Sequence, residues 1–220
     1  MSDRRQHPDA RDFIREKLHI VSPPLLPELR LHAAHSGSGL WRLAAGPDGG
    51  ADSAPPYWAY QWPGGIALAR YLLDMPEIVA GLSVLDLGAG CGVVGIAAAK
   101  AGARQVTAAE IDRNAVVALG LNAMLNEVDI ATLPADVMAG PPPPVDLVAV
   151  GDLFYDKALA RRVTAFLDRC LAAGIGVLVG DPGRVHLPRS RLRLLADYAV
   201  PDVGQASAGG SGAVFSFIPA

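Results

Sequence analysis

The sequence has little cysteine, little charge and no long apolar run, and each shortage argues against a class of protein. Its two cysteines among 220 residues are too few for a disulfide framework or a structural zinc site. The net charge is -3 and tight clusters of Lys and Arg are lacking, which argues against binding to nucleic acid or to an anionic membrane surface. No apolar run approaches the ~20 residues that span a bilayer. Because hydrophobic residues make up 51% of the chain, we expect a globular protein.

The first twenty residues lack the features of a targeting signal. They mix acidic residues with arginines, contain no apolar core of the kind found in secretory signals, and do not form a clean transit peptide. The sequence therefore predicts a cytoplasmic protein in a reducing compartment. If the source is eukaryotic, the mitochondrial matrix is the alternative.

The composition of the chain changes near residue 56. Residues 1–56 are predicted to form an N-terminal extension with a short helix, possible strands and a flexible loop rich in Gly, Pro and Ala. In residues 57–220, apolar strands alternate with helical segments, which predicts one α/β domain with a mostly parallel sheet. The last two strand-like segments have no helix between them, so we expect an antiparallel hairpin at one sheet edge.

A glycine-rich turn follows the first strand of this domain, in the segment VLDLGAGCGVVG at residues 84–95. Gly88, Gly90 and Gly92 permit a tight turn and close approach of the backbone to a ligand. Glu110 ends the next strand, where a carboxylate can bind both hydroxyls of a ribose. The same residues satisfy the dinucleotide-binding pattern G-x-G-x-x-G, and an ordinary turn without a ligand is a further alternative.

Asp86 distinguishes between these alternatives, because it stands directly before the glycines. A carboxylate there would repel a pyrophosphate but favours a cationic ligand. S-adenosylmethionine carries an ammonium and a sulfonium group and no phosphate. The segment LDLGAGCG, which includes Ala89, thus resembles motif I of the class I methyltransferases. Asp136 ends the third strand, where such enzymes often place an acid near the adenine amino group, although a helix N-cap is nearly as good an explanation.

Three further segments narrow this resemblance: PYWAYQWPGG (56–65), GDLFYD (151–156) and GDPGR (180–184). With motif I, they resemble the protein-lysine methyltransferases that modify the β subunit of electron-transfer flavoprotein, a family with mitochondrial and bacterial members. The resemblance implies a Rossmann-like sheet of seven strands, mostly parallel with an antiparallel C-terminal strand, and helices on both faces. It also implies S-adenosylmethionine as cofactor, S-adenosylhomocysteine as product, and no metal.

The resemblance also assigns roles to individual residues. Trp62 would lie beside the cofactor, and Gly64 and Gly65 would let the chain pass close to it. Asp152 and Tyr155, together with Asp156, would line the entrance for the lysine, with Asp152 also near the cofactor.

The chemistry of amine methylation fits these residue types. A free lysine has a pKa near ~10.4, so a site must desolvate the amine and offer a carboxylate that orients it or accepts its proton. We expect Asp152 to do this while Tyr155 shapes the channel; the structural alternative for Asp152 is a cap on the following turn. We also expect Asp181 and Arg184 to pair across a Pro-Gly turn that walls the site, with a purely structural turn as the alternative. An acid suits an amine better than an amide, which favours lysine over glutamine or a DNA base.

Three functions are compatible with these features. The first is a lysine methyltransferase acting on the flavoprotein β subunit, and the second is a small-molecule N-methyltransferase of the nicotinamide type. The third is a cofactor-binding module without catalytic activity, against which the intact Asp86, Glu110 and Asp152 argue. The sequence does not separate the first two.

Overall fold

The computed structural model describes residues 9–44, 55–200 and 210–220. Strands β1 (His19–Val21) and β2 (Leu31–Ala33) form a small antiparallel pair near the N-terminus. The strands of the main sheet are β3 (Ser83–Leu87), β4 (Gln105–Ala109), β5 (Ala131–Leu133), β6 (Leu147–Gly151), β7 (Gly176–Asp181), β8 (Leu192–Ala199) and β9 (Ser211–Phe217). The helices are α1 (Ala10–Lys17), α2 (Trp41–Ala44), α3 (Pro63–Asp74), α4 (Val93–Lys100), α5 (Arg113–Leu125) and α6 (Lys157–Ala172).

In the described residues, the main sheet has seven strands in the order β5-β4-β3-β6-β7-β9-β8. Strands β3 to β7 are parallel to one another, whereas β9 lies between β7 and β8 and is antiparallel to both. The predicted fold class is therefore confirmed, including the C-terminal hairpin at the sheet edge. The strand order reverses between β3 and β6, which is where sheets of this type bind ligands.

Helices cover both faces of the sheet. On one face, α3 and α4 pack a continuous apolar cluster against the strands, with Leu68, Leu72 and Ile96 fully buried. On the other face, α6 buries Val163, Phe166 and its other apolar residues against the central strands. The central strand β3 is buried along its whole length, as expected for a parallel strand that is covered on both sides.

The N-terminal extension packs directly on the rest of the chain. Phe13 and Ile14 of α1 lie in one apolar cluster with Trp58 and with residues of α5. Leu29, just before β2, belongs to the cluster under α3 and α4. The predicted flexible loop lies largely outside the described residues, and the boundary at residues 56/57 stays a prediction. Among the described residues, the longest helices are too short or too polar to span a bilayer.

Candidate active site

A cavity of about 520 Å³ opens at the carboxyl edge of the parallel strands. Its walls come from the turns that follow β3, β4, β5, β6 and β7, and from the segment before α3. Small-molecule sites usually have volumes of about 300–1,000 Å³, so the cavity is large enough for a nucleoside-sized cofactor.

Most of the residues that the sequence assigned to a site line this one cavity. They are Trp62, Asp86, Gly88, Ala89, Gly90, Glu110, Asp136, Asp152 and Tyr155. Gly92 and Asp156 are not among the lining residues.

Both of these residues instead shape the start of a helix. Gly92 has a φ of 84° and precedes α4, and a Cβ there would lie 2.9 Å from Leu119. Asp156 is the N-cap of α6 and accepts hydrogen bonds from the backbone N–H groups of Ala158 and Leu159, both at 2.9 Å. These N–H groups hold the pKa of Asp156 below its usual range. The structure therefore does not place Asp156 on the wall at the predicted lysine entrance.

Asp86 is a buried carboxylate on the cavity wall. It is 2% exposed, and its Oδ2 accepts a hydrogen bond of 2.8 Å from the N–H of Gly95. Burial raises the pKa of Asp86 to about 7, and the nearby charge of Glu110 contributes to the increase. No cationic side chain among the described residues forms an ion pair with Asp86. A cation bound in the cavity would stabilise its ionised form.

Glu110 connects the glycine turn to the end of β4. Its Oε2 accepts the N–H of Gly90 at 2.8 Å, while its Oε1 accepts the N–H groups of Ile111 and Asp112 at 2.7 and 2.9 Å. A carboxylate offers about four acceptor positions, so one is left for a ligand hydroxyl. The sequence predicted Glu110 as a ribose ligand but gave no sign of these backbone bonds.

Asp136 has the capping role that the sequence left open, and it also lines the cavity. Its Oδ1 accepts the N–H of Met138 at 3.1 Å and caps a short 3-10 turn. Its Oδ2 pairs with Arg162, and both side chains line the cavity.

Asp152 follows β6 and lies deep in the wall, with 8% of its surface exposed. Its φ of 59° is in the left-handed region, which Asp adopts more readily than most residues. Its Oδ2 accepts the N–H of Gly65 at 2.5 Å, so Asp152 caps the start of α3 and not the turn that follows it. Its Oδ1 pairs with Nη1 of Arg184.

Arg184 links Asp152 to a second buried carboxylate. The same Nη1 lies 3.4 Å from Oδ2 of Asp181, which confirms the predicted pair across the Pro-Gly turn. Burial raises the pKa of Asp152, while the charge and hydrogen bond of Arg184 oppose that increase. Asp152 and Arg184 line the cavity and Asp181 lies behind them, so with both acids ionised the three side chains carry a net charge of one negative unit. The site therefore favours a cationic or amine-bearing ligand.

An aromatic wall surrounds the mouth of the cavity. The ring of Tyr57 lies 5.6 Å from that of Tyr155 and 5.9 Å from that of Trp62, and Tyr60 follows at 6.1 Å from Trp62. The Trp62 indole N–H donates to the carbonyl of Tyr57 at 2.7 Å and fixes the orientation of the ring. Sequence reasoning gave no role to Tyr57 or Tyr60. The density of aromatic residues in PYWAYQW was the available signal.

Comparisons with known proteins agree with this geometry. The family model of the ribosomal protein L11 methyltransferase (PrmA) matches residues 68–150, which contain the glycine turn and the strands around it. In the solved structure of ribosomal protein L11 methylase from Lactobacillus delbrueckii subsp. bulgaricus, 77% of that chain superimposes on 69% of this one, with a TM-score of 0.51 and 24% identity. This likeness supports the fold alone.

Two curated relatives are much more similar in sequence. The electron transfer flavoprotein beta subunit lysine methyltransferase of Danio rerio is 42% identical over 207 residues, covering 88% of this chain and 77% of that protein. The enzyme of the same name from Rattus norvegicus is also 42% identical, over 172 residues that cover 74% of this chain and 68% of that protein. The chain thus belongs to the family of electron transfer flavoprotein beta subunit lysine methyltransferases.

Proposed function

We propose that this protein transfers methyl groups from S-adenosylmethionine to lysine side chains of the electron transfer flavoprotein β subunit. The observation that carries the proposal is the excess of buried carboxylates in and directly behind the cavity wall. Asp86 has no cationic partner among the described residues, and Asp152 and Asp181 share the single guanidinium of Arg184. Two cations, one from the cofactor and one from the substrate amine, would balance these charges.

The lining residues fit the cofactor by their chemistry. Asp86 would attract its positive groups, the turn at residues 88–91 would allow close approach, and Glu110 has an acceptor position for a ribose hydroxyl. Asp136 lies on the wall where an adenine amino group could donate to it, and Trp62 offers a flat apolar face. When bound, S-adenosylmethionine supplies a methyl group that its sulfonium charge has already activated.

The residues around the mouth would prepare the amine. Asp152 has acceptor positions left after its bonds to Gly65 and Arg184, so it can orient the amine or take up its proton. Burial raises the pKa of Asp152, which makes it a stronger base than an exposed aspartate. Tyr57, Tyr155 and Trp62 present aromatic faces, which attract alkylammonium groups by about 0.5–2 kcal/mol each.

The names of the relatives support a protein substrate, whereas nicotinamide is the competing acceptor. The deciding experiment incubates the protein with labelled S-adenosylmethionine and, in parallel, recombinant flavoprotein β subunit or nicotinamide. We expect label on the β subunit and none above background on nicotinamide. Label on nicotinamide alone would contradict the proposal.

Other expectations from the sequence stay predictions. Among the described residues, no three His, Cys, Asp or Glu side chains converge as metal ligands would. Assays with added chelator test whether the reaction needs a metal. Binding assays test the expected absence of nucleic acid and membrane partners, and fractionation of cells tests the cytoplasmic location.

A further inference from the structure

One buried side chain joins the glycine turn of the cavity to the N-terminal extension. Asn122 of α5 has no exposed surface. Its Nδ2 donates to the carbonyl oxygen of Cys91, in the turn between β3 and α4, at 2.8 Å. Its Oδ1 accepts from both the backbone N–H and Nδ1 of His32 in β2, each at 2.9 Å. Asn122 therefore makes polar contacts with both segments at once.

A second asparagine, the C-cap residue directly after α5, binds the extension without reaching the glycine turn. Asn126 is also buried; its Oδ1 accepts the N–H of Arg30 at 2.9 Å, and its Nδ2 donates to the carbonyl of Arg30 at 2.7 Å. The same Nδ2 donates to the carbonyl of Asn122 at 2.8 Å. Asn122 thus binds β2 and Asn126 binds the residue before it, and only Asn122 also bonds to Cys91.

That bond adds a restraint to a turn that Glu110 already holds through the N–H of Gly90. Cys91 lies between Gly90 and Gly92, which have φ values of 53° and 84° and lack the side chains that would limit rotation. Because a peptide unit is planar, fixing the Cys91 carbonyl also fixes the direction of the Gly92 N–H. Gly92 N–H donates to the Ala89 carbonyl at 2.8 Å and so closes the turn.

The extension also reaches the cavity wall by a second route. The N–H of Ala34, directly after β2, donates to the carbonyl of Ala59 at 2.9 Å. Trp58, the residue before Ala59, lines the cavity, and a Cβ on Gly90 would lie 3.7 Å from the Trp58 Cα. Movement of β2 would therefore disturb both the glycine turn and the wall opposite it.

We propose that Asn122 is a positioning residue for the glycine turn, and that the docked N-terminal extension sets cofactor affinity through it. The inference rests on the proposed function only in assuming that this turn holds S-adenosylmethionine. It gives the extension a role in cofactor binding in addition to its packing role.

Calorimetric titration with S-adenosylhomocysteine tests this inference in the full-length chain. Asn122→Leu leaves the Cys91 carbonyl and the His32 N–H without their partner, whereas Asn126→Leu does the same to both backbone groups of Arg30. We expect Asn122→Leu to weaken binding about tenfold or more and Asn126→Leu to weaken it less than about threefold. Thermal unfolding in parallel separates lost stability from lost affinity. If Asn122→Leu does not fold, Asn122→Ala replaces it, with Asn126→Ala as its control.

Amide hydrogen exchange without ligand gives a readout that does not depend on the cofactor. Exchange at Gly92 is expected to accelerate more in the Asn122 variant than in the Asn126 variant of similar stability. Equal effects of the two substitutions on both binding and exchange would overturn the inference. If the unsubstituted protein binds no S-adenosylhomocysteine, the proposed function fails, and the exchange rates alone then decide the positioning role.

Discussion

At the scale of single residues, Asp86 shows how burial turns a carboxylate into a group that selects cations. Burial raises its pKa from the ordinary value of 3.8 to about 7. As the pH rises, the unfolded chain loses this proton first, so ionisation of Asp86 lowers the stability of the folded protein between about pH 4 and 7. A bound cation reverses the preference, because it stabilises the ionised form in the same place.

The stability of Asp86→Asn should therefore depend on pH in a defined way. Without cofactor, we expect its melting temperature to rise relative to the unsubstituted protein as the pH increases from 5 to 8, because the amide removes the ionisation of Asp86. Thermal unfolding across this range measures the difference. Asp146→Asn is the control of opposite sign: bonds from Ser83 hold the pKa of Asp146 below its usual range, so this variant should be less stable near pH 7. A pH-independent difference for Asp86→Asn would contradict the account.

Cofactor binding should be linked to the same proton. Below about pH 7, binding of S-adenosylmethionine is expected to release a proton from Asp86, so affinity should increase with pH and level off above about 7. Calorimetry in two buffers with different heats of protonation measures this release directly. Affinity that does not change from pH 5.5 to 8 would show that Asp86 does not contact the positive groups of the cofactor.

Arg184 should control the protonation of Asp152 during catalysis. The charged groups that face Asp152 are Arg184 and Asp181, and α3 adds the N–H of Gly65. In Arg184→Gln, the pKa of Asp152 should increase further, and the acidic limb of the pH profile for kcat/KM should move to higher pH. Arg184→Lys should restore part of the shift. If activity falls equally at every pH, Arg184 has a role in packing and not in this titration.

At the scale of elements, the start of α3 is held against β7 by two glycines. A Cβ on Gly64 would lie 2.3 Å from the carbonyl oxygen of Gly180, and a Cβ on Gly180 would lie 2.2 Å from that of Gly64. Gly64 therefore makes room for β7, and the expectation that it lets the chain pass close to the cofactor stays a prediction. This close packing brings the N–H of Gly65 to Asp152.

Replacing either partner should separate the helix from the sheet. We expect Gly64→Ala to lower the free energy of unfolding by about 1–3 kcal/mol and to reduce activity, because neither backbone can yield easily. Gly120→Ala is the matched control, since a Cβ there in α5 would meet nothing within 4 Å. It should raise stability by about 0.8–1 kcal/mol, as Ala for Gly does inside a helix. Chemical denaturation of both variants measures the change in the free energy of unfolding. Equal changes for Gly64→Ala and Gly120→Ala would contradict the packing argument.

The elements that the sequence predicted well are those with a local pattern. The buried strands at residues 83–87 and 176–181 are short, largely apolar runs, the amphipathic helix α6 has a helical periodicity, and the structure confirms all three. The position of the extension was harder to predict, because it depends on Asn122 and Asn126 recognising backbone groups about 90 residues away. An asparagine in a helix gives no sequence signal for such a partner.

At the scale of the whole molecule, the cavity brings together residues from six separate segments of the chain. Motif I and Glu110 were predictable because strand ends meet at one edge of a parallel sheet. The partners of Asp152 were not, since Gly65 and Arg184 lie 87 and 32 residues from it in the sequence. Asp156 is different, because the N–H groups that it caps are only two and three residues away, a local capping signal that sequence reasoning overlooked.

The central claim is that this cavity methylates lysine nitrogens on the flavoprotein β subunit. Peptide mapping by mass spectrometry tests it most directly, after the purified β subunit is incubated with the protein and S-adenosylmethionine. The account predicts methyl groups on lysine side chains of the β subunit, and none when the protein is omitted. A β subunit without methylated lysine, under conditions where the protein binds the cofactor, would contradict the claim.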